Sequence, residues 1–102
     1  MEELSILAAK LPWEKSPSGD LQRKVLRVGA DGKPKVALVR LEPGVPSVAH
    51  AHEQAENHYV LEGEYESQGG SYPAGSYRLI PPNKTHGPLL SKEGATLLVI
   101  WE

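Results

Sequence analysis

The sequence predicts a single all-β domain, a sandwich or barrel of short strands, and three observations carry that expectation. The chain has 102 residues, enough for one hydrophobic core and too few for a second unit beside it. Ten Gly and nine Pro punctuate it, so the chain must turn often. Between these breaks lie six or seven strand-like runs at near-regular spacing, with no repeat or low-complexity tract.

The elements follow in order. Leu4, Leu7, Ala8 and Leu11 recur at helical spacing and Leu11-Pro12 closes the segment, so a short amphipathic helix or ordered arm is expected there. Residues 1–20 are read as an N-terminal arm and residues 21–102 as the barrel, with Trp13 as an apolar plug docking one on the other. Residues 21–28 read as a strand that ends at Ala30-Asp31-Gly32-Lys33-Pro34, and residues 36–41 as one that ends at Pro43-Gly44. Residues 57–61 run to Gly63, residues 64–67 to Gln68-Gly69-Gly70, residues 76–80 to Pro81-Pro82, and residues 96–101 close the chain. Glu62, Glu64 and Glu66 alternate around Gly63 and are expected to form a charged, solvent-facing edge.

Composition excludes several function classes. An apolar share of 39%, a charged share of 24% and a formal net charge of -2 are those of an ordinary globular domain. The longest apolar run is the five residues 97–101, against about 20 needed to span a bilayer, and Met1-Glu2-Glu3 lacks the basic start of a signal peptide. A cytoplasmic location with no membrane partner is therefore expected. Residues 10–40 hold eight Lys or Arg against three acids, but without interleaved aromatics or a nucleic-acid motif this reads as a solvated strand surface, not a phosphate-binding face. Residues 41–102 hold eight acids against three basic groups, an excess that a bound divalent cation would partly offset. With no cysteine, any metal must be held by nitrogen and oxygen.

All four histidines fall between positions 50 and 86. His50 and His52 stand two apart, so on an extended chain their imidazoles point to one side and can converge on one ion. Glu56 follows at the head of a strand-like run. His86 comes after the turn 81–85, which would aim it back if the flanking strands adjoin. Three imidazoles and a carboxylate suit Zn, Fe, Mn, Co, Ni or Cu. His58, two residues after Glu56, shares its inward parity and could act as a general base, hydrogen-bond a substrate, or only orient Glu56. Gln54 could face solvent or the cavity mouth. Arg40, Tyr77, Arg78 and Trp101 lie in predicted strands of open register and are read as structural.

These residues resemble a known family. Gly44, His50, His52, Glu56 and Gly63 carry the spacing of the first conserved motif of the cupin superfamily, and Gly75, Pro81, Asn83 and His86 are similar to the second. Asn83 stands where the family usually has Gly, and Leu90 where it usually has Asn; Asn tolerates the left-handed turn that Gly would supply. The resemblance implies a double-stranded β-helix barrel, a jelly-roll relative, with His50, His52, Glu56 and His86 facing inward as ligands of one divalent ion, Fe2+ or Zn2+ first and Mn, Ni, Co or Cu as alternatives. Trp13, residues 40–44, residues 72–77 and residues 93–99 further resemble ChrR-type cupins. That group implies two functions: a free-standing metal-dependent dioxygenase acting on a small ketone, phenol or carboxylate, with His58 as catalytic base, or a non-catalytic zinc-binding sensor. Only about 40 residues precede the first motif, most of them strand-like, which favours the free-standing enzyme over a sigma-factor regulator. A small-molecule ligand, no nucleic acid and a homodimeric assembly complete the expectation.

Overall fold

The computed structural model describes residues 1–48 and 51–102, and builds from them seven strands. They are β1 (Glu14–Lys15), β2 (Gln22–Val28), β3 (Pro34–Leu41), β4 (Glu56–Ser67), β5 (Gly70–Pro73), β6 (Tyr77–Ile80) and β7 (Ala95–Trp101). All pairings are antiparallel, in the order β1-β2-β3-β7-β4-β5, with β6 on the first half of β4. The arrangement is of jelly-roll type. The expected barrel is open, since among the described residues the ladders do not close into a ring.

Strand parity sorts the side chains into two faces. In register across the inner face stand Val39, Leu97 and Val60, and in the next row Ala37, Val99 and His58. Leu41, Leu97, Val60 and Val99 are buried, each contributing about 1.5–3 kcal/mol through removal from water. Tyr65 and Leu89 complete this core.

Two predicted runs around Gly63 merge into the single strand β4. The reason is local: the register shifts between Val60 and Glu62, and Gly63 takes a left-handed φ of 75°, so the glycine makes a bulge inside the strand where a stop is expected. A Cβ at Gly63 would lie 2.2 Å from the Gly94 carbonyl oxygen, so no other residue fits. Glu62, Glu64 and Glu66 are exposed, as expected. Sequence reasoning missed β1, only two residues long, and β5, which returns from β4 through Gln68 and Gly69, both at positive φ as a tight hairpin turn requires.

The amphipathic N-terminal helix does not form. Only a single 3-10 turn, Ala8–Lys10, is present, and Leu4 and Leu7 are 62% and 63% exposed. The apolar stripe has nothing to bury against, and one turn is too short to sustain itself. Trp13 docks the arm, though as a cation acceptor more than an apolar plug: the Lys24 ammonium and Arg40 guanidinium lie 4.8 and 4.1 Å from its ring, and Lys24 Nζ donates to the Ala8 carbonyl at 2.8 Å. Asp20 ties this region to the loop after β3. Its carboxylate accepts from the Ser16 and Ser18 hydroxyls and, at 2.6 Å, from the Val48 amide.

Candidate metal centre

Glu56 and His58 open β4 on its inner face, level with Ile80 and Arg78 of β6 and with Trp101 and Val99 of β7. His52 arrives from the loop before β4. His86 follows a turn in which Asn83 adopts φ 60°, the left-handed geometry expected of it, and the Asn83 amide donates to the His52 carbonyl at 2.6 Å. That bond clasps the two histidine-bearing loops together.

The result is a cluster of three candidate ligands. Glu56 Oε2 lies 3.3 Å from His52 Nε2 and 3.4 Å from His86 Nε2, and one donor atom from each residue falls within 4.8 Å of the others. Ligand atoms at about 2.1 Å from a common ion sit roughly 3.0–3.4 Å apart in octahedral or tetrahedral arrangements, so these two separations fit a shared divalent cation. Glu56 Oε2 is also buried, and His52 and His86 approach it only at these long separations, a setting that a cation between the three groups would satisfy. His52, Glu56 and His86 could therefore hold a metal ion, and the nitrogen and oxygen donors suit the first-row metals expected from the sequence. His50, the fourth expected ligand, lies outside the described residues.

His58 is buried and its two ring nitrogens both find protein partners. Nε2 donates to Glu56 Oε1 at 2.7 Å, since a carboxylate only accepts, and in the neutral ring Nδ1 then accepts from the Tyr65 hydroxyl at 2.9 Å. Tyr65 stacks on Tyr72 with ring centroids 5.1 Å apart. Burial pushes the Tyr65 phenol up, against a smaller opposing effect of Arg78. For Glu56, burial also pushes the carboxyl up, but hydrogen bonding and charge from His58 and His86 outweigh it and hold the group well below the usual carboxylate range.

The cluster lies in the wall of a cavity of about 360 Å³. Leu89, Leu97, Val99 and Trp101 are among its apolar lining, and Arg23 and Asp20 among its charged lining. Trp101, expected to be structural, faces it and meets the His52 ring edge-on at 6.3 Å. The other residues of open register lie elsewhere. Gln54 lines a separate recess with Arg27 and Lys35, Arg40 covers Trp13, and Tyr77 is exposed and hydrogen-bonded to Asn57. Arg78 donates to Gln68 at 2.7 Å and lies 4.8 Å from the Tyr72 ring. A larger recess of about 620 Å³, edged by Glu64, Glu66 and Glu93, includes none of the histidines. Sequence reasoning missed Arg23 and Tyr65. Leu21, Arg23 and Val25 alternate, so the signal for an inward Arg23 was present; for Tyr65 the bulge before it breaks the parity that would have placed it.

Comparison with known proteins agrees with this architecture. The profile of the ChrR cupin-like domain matches residues 1–101. The chain belongs to this cupin family. No curated protein sequence matches it. Among solved structures, a proposed acetylacetone dioxygenase of Methylibium petroleiphilum superposes with a TM-score of 0.87 at 17% identity, over 99% of this chain and 77% of that one. An acetylacetone dioxygenase from Acinetobacter johnsonii gives 0.78 at 16% identity, over 99% and 73%. The anti-sigma factor ChrR of Rhodobacter sphaeroides, solved in complex with SigE, gives 0.75 at 18% identity, over 91% of this cupin and 50% of the other chain. At these identities the likeness is one of fold.

The depressed Glu56 carboxyl makes the metal-free cupin acid-sensitive in a defined direction. A folded-state value below the ordinary 4.5 means that this stabilisation is complete above that pH and is lost as pH falls through the lower folded value. Glu56→Gln should therefore flatten the decline of melting temperature of the metal-free protein between about pH 5 and 2. A variant whose decline parallels the wild type would contradict the placement of Glu56.

Proposed function

We propose that this cupin is a metal-dependent enzyme of dioxygenase type acting on a small molecule. One observation carries the reading: the three candidate ligands open on a cavity of about 360 Å³ with apolar walls, the size and lining of a small-molecule site. A metal that only braces a fold needs no such space, because all its positions are filled by protein.

His50, two residues before His52, is proposed as a further ligand beside His52, Glu56 and His86. A ferrous ion held there would supply a centre at which dioxygen and an organic ligand can meet, whereas zinc would supply a Lewis acid. The protein's own part is to keep that centre fixed and dry. His58 holds Glu56 Oε1, Tyr65 holds His58, and Leu97, Val99 and Trp101 exclude water. His58 lines the cavity but spends both nitrogens on protein partners, which supports a positioning role ahead of the base role expected from sequence.

The likeness in fold to acetylacetone dioxygenases and to ChrR leaves two outcomes for experiment. Iron-loaded protein should bind nitric oxide as a stand-in for dioxygen, and should consume oxygen when offered a panel of β-diketones, catechols and small carboxylates. Tetrahedral zinc without a water ligand, and no oxygen uptake with any metal, would instead support the zinc-binding sensor.

A homodimer is proposed as the assembly. Leu79, Tyr77, Tyr59 and Ile100 stand in register on the outer face of β6, β4 and β7 and are 53%, 61%, 45% and 37% exposed, with Leu61 beside them at 44%. Apolar patches of this kind on a sheet mark association surfaces. Light scattering should give twice the 11.1 kDa chain mass, falling to the monomer value in Leu79→Glu. A monomeric wild type would remove the proposal.

A further inference from the structure

The cavity lining includes a charged side chain, that of Arg23, which neither the candidate ligands nor the fold accounts for. Arg23 stands opposite Val39 in the β2–β3 ladder, Val39 opposite Leu97, and Leu97 opposite Val60. The row across the inner face thus consists of one cation and three buried apolar side chains. Arg23 is partly buried, and a guanidinium set among apolar side chains gains from an anion that supplies its counter-charge.

Among the described residues, however, the Arg23 guanidinium takes part in no ion pair or side-chain hydrogen bond. The two carboxylates sharing its cavity are engaged elsewhere. Asp20 accepts from Ser16, Ser18 and the Val48 amide, and Glu56 faces His52, His58 and His86. Glu14, the cross-strand neighbour on β1, is exposed and lies outside the cavity wall. Formal charge points the same way. A divalent ion and Arg23 against Asp20 and Glu56 leave a single positive charge in the cavity, which one monoanion neutralises.

We infer that Arg23 is the specificity-determining residue of this cavity and that its ligand is a small monocarboxylate. The fork of the guanidinium matches a carboxylate with two parallel hydrogen bonds. The remainder of the ligand lies along Val39, Leu97 and Leu89, which continue the wall toward Glu56 and His86. A single arginine suits a monoanion better than a phosphate dianion, which calls for more donors. The inference deepens the proposed function and rests on it for the formal charge of the cavity and for what the far end of the ligand meets.

The test titrates benzoate and hexanoate, each against its uncharged amide, into zinc-loaded and metal-free protein by calorimetry, with metal content read separately. The wild type should prefer each carboxylate over its amide by about tenfold or more, the size of a charge-assisted hydrogen-bonded pair. Arg23→Gln should lose that preference while its metal content stays equal to that of the wild type. If Arg23→Gln does not fold, Arg23→Lys keeps the charge without the fork and should reduce the preference about threefold or more. Carboxylate binding unchanged in the variant would place the anion on the metal or elsewhere and overturn the inference, as would a wild type that prefers the amides or binds neither carboxylate. A protein that takes up no metal yet binds carboxylates through Arg23 would sink the metal-centre reading and leave this one standing.

Discussion

A carboxylate stays ionised inside a protein only when donors or cations surround it, and the start of β4 buries Glu56 among imidazoles. Much of the surrounding architecture meets that demand. The Asn83 amide bound to the His52 carbonyl brings the β6–β7 connection against the loop before β4, so that His52 and His86 reach the same oxygen. His58 holds the other oxygen, and Tyr65, across the bulge at Gly63, holds His58. Removing any one of these partners would leave a buried polar group short of a hydrogen-bond partner in an interior of low dielectric, which is why they act as a set.

Parity then turns a ligand cluster into a site. Each strand passing the cluster presents alternate residues inward, so the positions that carry Glu56 and His58 on β4 are continued by Trp101, Val99 and Leu97 on β7, Val39 on β3 and Arg23 on β2. The same rule loads the outer face of β4 and β6 with Tyr59, Tyr77 and Leu79, apolar groups without a cover in the single chain. Within one sheet, the candidate ligands and the exposed apolar patch are thus assigned to opposite faces by a shift of one residue.

Much of this was legible in the sequence, because its signals are short-range. Strand runs between Gly and Pro breaks gave β2, β3, β6 and β7 close to their observed bounds, and the offsets of Glu56 and His58 set their shared face. Asn83 at positive φ followed from the resemblance, which has Gly there, and from the tolerance of Asn for that conformation. What failed depended on tertiary context. The N-terminal stripe had the spacing of a helix but no surface to bury it, and Gly63, a stop signal in isolation, became a bulge because β7 continues the ladder beyond it. Whether Arg40, Tyr77, Arg78 or Trp101 faced the cavity depended on register between distant strands, which no local pattern encodes; of these only Trp101 lines it.

The central claim is that His52, Glu56 and His86 enclose a cation, and metal occupancy tests it most directly. Protein purified without a metal-binding tag and loaded anaerobically with iron, zinc or manganese should retain about one equivalent after desalting, and far less when Glu56 is replaced by Ala. Retention below about 0.1 equivalents with every metal, or full retention in Glu56→Ala, would contradict it.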